Sequence, residues 1–197
     1  MRRDAKAKER KRTLLVIGSA IAFCAILIGV VSGIAIKNSH DQAQKRKIPG
    51  LVKYDASKLG RKHTTAAVTY STTPPVGGDH SPVWLNCGIY TTEQSVGMAV
   101  HDMEHGAVWI TYGPKTSGAE IAKLQFHVRA ATKGFITLTP FAALKPGAIF
   151  ASAWGYQVAL TNADDPRLEK FISRFQSGPQ TPEPGAKCSG GQGIPKA

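Results

Sequence analysis

The chain lacks the glycine loop that cradles a phosphate. GGDH, residues 77–80, has neither the following lysine nor a strand-to-helix frame. No Gly-x-Ser-x-Gly turn is present, so a Ser-His-Asp hydrolase has no support. No internal repeat is visible. Beyond the first twelve residues, basic and aromatic side chains do not interleave as they do in nucleic-acid binders, so nucleic acid is not an expected partner. Cysteine is scarce, with three in 197 residues. Disorder is not expected either, because 42% of the residues are hydrophobic and can build a core.

What is present begins with charge. The formal net charge is +12, unevenly spread. The first twelve residues, MRRDAKAKERKR, hold seven Lys/Arg against Asp4 and Glu9. Residues 13–36, TLLVIGSAIAFCAILIGVVSGIAI, then run 24 positions without a charge. A helix of that length reaches about 36 Å, enough to cross a hydrocarbon core of roughly 30 Å. A core helix would show a polar face, and a cleaved signal peptide would have a shorter apolar region with a cleavage site after it. A retained transmembrane helix is therefore expected, with the lipid bilayer as partner. The basic side stays in the cytoplasm, although Lys37, Lys45, Arg46, Lys47 and Lys53 follow the span closely. The expected address is the cell membrane, single-pass, with the C-terminal domain extracytoplasmic. No feature names a protein partner.

Cys24 lies within the span. Cys87 and Cys188 remain for the outer region, where an oxidising compartment favours pairing. Two free thiols, or a thiolate metal ligand at Cys87, are the alternatives.

Five segments follow: a basic tail (1–12), the span (13–36), a polar tether broken by Pro49-Gly50 (37–60), a folded domain (61–178) and a Gly/Pro-rich tail (179–197). Within the domain, residues 64–70 read as a strand, and residues 71–82, with three prolines and two glycines, as a loop. Residues 93–105 read as a short helix ended by Gly106, and residues 107–112 as a strand. Ser117 and Glu120 have the spacing of a capping box before a helical stripe of Ile121, Leu124 and Val128. GFITLTP is a further strand. Residues 148–160 are a strand pair, or one long strand, bent at Gly155. Asp165-Pro166 opens a last helix with Leu168, Phe171, Ile172 and Phe175 on its apolar face. Interleaved elements give an α+β class: a small mixed or antiparallel sheet covered by helices, preceded by one transmembrane helix.

The chemistry concentrates in HDMEHG, residues 101–106. His101 and His105 stand four apart and share a face on a helix or on a strand. Glu104 joins them only on a helix. His-x-x-Glu-His is the inverted form of a zinc-protease motif, and imidazole pairs suit transition metals, zinc or copper before others. A stable site needs a third ligand. His80, on the proline-stiffened loop, is the first choice and His63 the reserve. Asp79 and Asp102 are placed to accept imidazole N–H groups. The bland alternative is a hydrogen-bonded polar cluster without metal. Gly106 and the strand after it argue against a protease helix running through the motif. His127 and His40 have no expected role. Met98 and Met103, and Trp84, Trp109 and Trp154, are expected to pack the core.

PPVGGDHSPVW, CGIY, AVHDMEHGAVWITY and the later AWG together resemble the bacterial DUF3105 family, a domain of unknown function often found behind a single membrane span. His80, Gly88, Tyr90, His101, Glu104, His105 and Gly106 match its pattern position by position. His63 matches an earlier histidine. The ending TPEPGAKCSGG is similar to family members in which a cysteine recurs with that of CGIY, which implies a Cys87–Cys188 disulfide. The family loop more often reads Pro-Pro-Thr-Ser-Gly-Pro-His. This chain departs from it at Val76, Gly77 and Asp79, leaving no hydroxyl at Gly77. The resemblance spans about residues 55–190 and brings no reaction with it.

Three functions follow as expectations. One is transition-metal binding by His80, His101 and His105, with His63 in reserve and Glu104 beside them. Another is a metallohydrolase with Glu104 as catalytic general base. The third is a metal-free binding module of the cell envelope.

Overall fold

In the computed structural model, the described residues are Ser32 and 47–196. The expected span, the basic tail, Cys24 and His40 lie outside them, apart from Ser32. Among the described residues no helix is long and apolar enough to cross a membrane.

Six strands and three α-helices build a mixed α+β unit over Ile48–Ala197. The strands are β1 (Val52–Lys53), β2 (Gly88–Ile89), β3 (Val108–Tyr112), β4 (Ile136–Pro140), β5 (Ile149–Ala153) and β6 (Tyr156–Leu160). The helices are α1 (Val96–Glu104), α2 (Gly118–Ala130) and α3 (Pro166–Phe175). The sheet order is β1-β6-β5-β3-β4-β2. β3 and β4 pair in parallel, as do β4 and β2, while β3–β5, β5–β6 and β6–β1 are antiparallel. A parallel pair needs a crossover, and α2 supplies it between β3 and β4.

Strand alternation sorts the core into two faces. Val108, Ile110 and Tyr112 of β3 join Ile149, Ala151 and Ala153 of β5 in the larger cluster, with Leu124 of α2 and the apolar stripe of α3. Trp109, from the opposite face of β3, packs with Ala99, Val100 and Met103 of α1, and with Phe141, Leu144 and Trp154. The sheet therefore carries α2 and α3 on one side and α1 on the other.

α3 forms as its sequence predicts. Asp165 caps it, accepting from the Arg167 N–H at 3.0 Å, and Pro166 occupies the first turn. Leu168, Phe171, Ile172 and Phe175 are all buried, and each contributes about 1.5–3 kcal/mol by leaving water. The capping box on α2 is only half made. Ser117 Oγ accepts from the Glu120 N–H at 3.2 Å, but Glu120 Oε2 accepts from the Ala163 N–H at 2.6 Å. An orphan donor in the β6–α3 loop takes that carboxylate.

Residues 64–70 form no strand. They have no ladder partner, and pairing there is limited to an isolated bridge between His63 and His80. Part of the stretch read as a tether folds into the unit: Ile48 is buried and β1 pairs with β6. The Gly/Pro-rich end is a strap, bonded to residues 84–89 by Gln192 N–H to Trp84 O (2.9 Å), Asn86 N–H to Gln192 O (2.7 Å) and Lys196 N–H to Ile89 O (2.8 Å). Cys87 and Cys188 lie at disulfide distance, with Cα atoms 5.3 Å apart, and fasten the same strap.

Candidate metal centre

The centre is assembled from α1 and one loop. α1 is short and wholly buried from Ala99 to Glu104, polar residues included. It stops because Gly106 adopts φ +103, a conformation L side chains rarely take, and a Cβ there would meet Thr181 Oγ1 at 2.8 Å. This stop leaves His101 and Glu104 in the last turn and His105 at the cap.

The loop of residues 71–82 is pinned to the β5–β6 hairpin. Gly155 N–H donates to Val76 O at 2.7 Å, and Gln157 Nε2 donates to Pro74 O at 2.9 Å. Gly77, at φ +140, lies so close to the core that a Cβ would meet Leu59 Cδ1 at 2.9 Å and the Trp154 ring at 3.2 Å. The loop then turns His80 inward, fully buried. His80 N–H donates to Lys62 O (3.0 Å) and Thr64 N–H to His80 O (2.7 Å), which lays His63 beside it.

His63, His80, His101 and Glu104 each offer a ligand atom, and these atoms all lie within 4.8 Å of one another. The His80 Nε2 atom is 2.9 Å from Glu104 Oε2, and His63 Nε2 is 3.4 Å from the same oxygen. Arg61 Nε donates to the other carboxylate oxygen, Oε1, at 2.9 Å. Backbone carbonyls fix two of the rings: His80 Nδ1 is 2.8 Å from Gly78 O, and His101 Nδ1 is 2.7 Å from Ser81 O. A carbonyl can only accept, so each Nδ1 carries the hydrogen. At His101 the Nε2 of the neutral ring then holds the lone pair, the tautomer a metal takes; His80 Nε2 faces the Glu104 carboxylate, which only accepts, and has to give up a hydrogen for a metal to bind.

Electrostatics agree with that assignment. Burial pushes the His101 imidazole down to about 4; the Ser81 carbonyl works against this, and the neighbouring His105, His80 and His63 add to it. His101 is therefore neutral at pH 7. Burial acts to raise the Glu104 carboxyl, but the Arg61 hydrogen bond and the His80 and Arg61 charges outweigh it, so Glu104 stays ionised.

The expected ligands do not all converge. His105 stands outside the set. Its ring is 4.5 Å from that of His101, but its Nδ1 meets Lys187 O of the strap at 2.7 Å. His63, expected as a reserve, belongs to the set. Asp79 and Asp102 accept nothing from an imidazole. Asp79 Oδ1 takes the Lys62 N–H (3.0 Å), while Asp102 takes the Leu85 N–H (3.0 Å) and the Thr137 hydroxyl (2.8 Å). Backbone donors in the loops needed those carboxylates, and carbonyls took their place at the rings. Asp102 is buried, which raises its carboxyl well above the ordinary range. Met103, Trp109 and Trp154 are core residues. Trp84 instead covers His105 and His101, at 5.2 and 5.7 Å between ring centres. His127 Nε2 lies 3.0 Å from Ala163 O, away from the centre.

Arg61 and Glu183 were not anticipated. Nothing in their local sequence marks them, since each reaches the centre only through the folded loop or strap.

A protein-family model, described as a protein of unknown function (DUF3105), matches residues 61–190. The chain belongs to this family. No curated protein and no solved structure matches it.

Proposed function

We propose that this domain binds a transition metal ion, zinc or copper, through His63, His80, His101 and Glu104. The observation that carries the reading is the convergence of four donor groups on one point, three of them buried, with two of the rings held by carbonyls. Tetrahedral zinc bonds of about 2.0–2.2 Å put neighbouring donors about 3.3–3.6 Å apart. The 3.4 Å His63–Glu104 separation already suits this. The widest pair, within 4.8 Å, has to close by about 1 Å or a little more. His63 has the most room to adjust, because its side chain is 45% exposed while those of His80 and Glu104 are buried.

Binding suits the site better than hydrolysis. Glu104 Oε1 is held by Arg61, and Oε2 stands among the ring nitrogens that would bind the ion, a position that suits a ligand better than a general base. Ligand and charge balance is the role its position supports. We further propose that residues 13–36 anchor the chain in the lipid bilayer and hold this domain on the extracytoplasmic side. The apolar run and the basic residues before it support that reading.

The test is elemental mass spectrometry of the purified full-length chain. One transition metal ion per chain is expected. His80→Ala and His101→Ala are each expected to lower the content by about tenfold or more, since even a lost outer partner of a metal ligand costs 10–100-fold in affinity. Unchanged content in both variants would overturn the assignment, and a metal-free wild-type chain would leave the hydrogen-bonded cluster.

A further inference from the structure

His105 is built like the members of the centre and yet lies outside it. Its ring is buried, and its Nδ1 is fixed to the Lys187 carbonyl at 2.7 Å. Nε2 of the neutral ring is therefore the lone-pair nitrogen, and it faces Glu183 Oε2 at 3.7 Å. That distance is too long for a hydrogen bond. It is short enough for one ion with bonds of about 2 Å to reach both atoms. Glu183 is half exposed, with its side chain 43% accessible, while His105 behind it is nearly closed off.

The rings continue from there in a contiguous series. His105 is 4.5 Å from His101, and His101 is 4.8 Å from both His63 and His80. A carboxylate stands at each end, Glu183 near solvent and Glu104 buried. Arg61 reaches both, with Nε 2.9 Å from Glu104 and a guanidinium nitrogen 4.0 Å from Glu183. One resident cation therefore serves both carboxylates, and Glu183 is the one it holds loosely.

We infer that His105 and Glu183 form a second, outer metal position, through which a divalent transition metal ion passes to the inner set. This rests on the metal-binding reading above. Glu183 draws the ion from solvent by charge, His105 replaces part of its water shell, and the adjacent His101 ring takes it onward. No bond to carbon and no redox change is involved; the ion exchanges water and imidazole ligands only. The strap, bonded to the site through the Glu183 N–H to Glu104 O at 3.1 Å, keeps Glu183 in place.

The experiment is zinc uptake by the full-length, metal-stripped chain, followed in time by competition with a chromophoric chelator. Glu183→Gln is expected to slow loading by about tenfold, the low end of what a steering charge adds to an on-rate, and His105→Asn by a similar factor. The zinc content at equilibrium is expected to stay within about threefold of wild type, because the inner four groups are intact. Loading at the wild-type rate in both variants, with normal final content, would overturn the outer position and leave the inner centre standing. Loss of bound zinc at equilibrium in Glu183→Gln would also overturn it, by making Glu183 an inner ligand. A wild-type chain that takes up no zinc would overturn both readings.

Discussion

α1 and α3 lie on opposite sides of one sheet and solve opposite problems. α3 presents an apolar stripe, carries its own cap and proline, and buries Leu168, Phe171, Ile172 and Phe175. α1 is shorter, makes no side-chain cap bond at Ser95, and buries His101, Asp102 and Glu104 with its apolar residues. Burying ionisable groups opposes folding unless each finds a partner. On α1 each has one, in Ser81 O, the Leu85 N–H with Thr137, and Arg61 with two imidazoles. α3 is thus held by apolar burial, whereas α1 adds to its apolar contacts a polar network set around a common point. The α3 side is packed for stability, while the α1 side also gathers the donor groups of the candidate centre.

The larger effect that would sharpen this comparison is on the α3 side. Phe171→Ala is expected to destabilise the domain by about 3–5 kcal/mol, measured by denaturant unfolding, with the metal content of the folded fraction unchanged. A loss of metal at full stability in this variant would break the division of labour.

A smaller effect belongs to α1 and depends on pH. The His101 imidazole titrates near 4 in the folded chain against an ordinary value of 6.5, so below 6.5 the unfolded chain takes a proton that the folded chain refuses. Stability from this group is present above 6.5 and is lost as pH falls toward 4. Over that window, with chelator present, wild type is expected to lose on the order of 3 kcal/mol more than His101→Gln. Parallel stability curves for the two chains would show that His101 is not held neutral by burial.

How much of this the residues revealed in advance follows the same division. α3, β3, the bend at Gly155 and the stop at Gly106 were legible because local signals and tertiary needs agree there. Residues 64–70 misled, since β-branched composition marks a strand only where a partner strand exists. β1 and β2, two residues each, carry too little pattern to be seen. In the centre, the His101–Glu104 spacing and the loop histidine His80 were legible from the motif and the prolines. The exchange of His63 for His105 was not, because it depends on the Lys62–Thr64 backbone bonding to His80, a contact across the loop. Arg61 and Glu183 reach the site through the same kind of long-range closure. The carbonyls that fix the rings leave no trace in side-chain identity at all.

The measurement closest to the central claim is an anomalous-difference map, collected at the zinc absorption edge, from crystals of the zinc-loaded chain. A peak bounded by His63, His80, His101 and Glu104 is expected, at about 2.0–2.2 Å from each donor atom. A map with no peak there, or with the ion elsewhere on the surface, would contradict it.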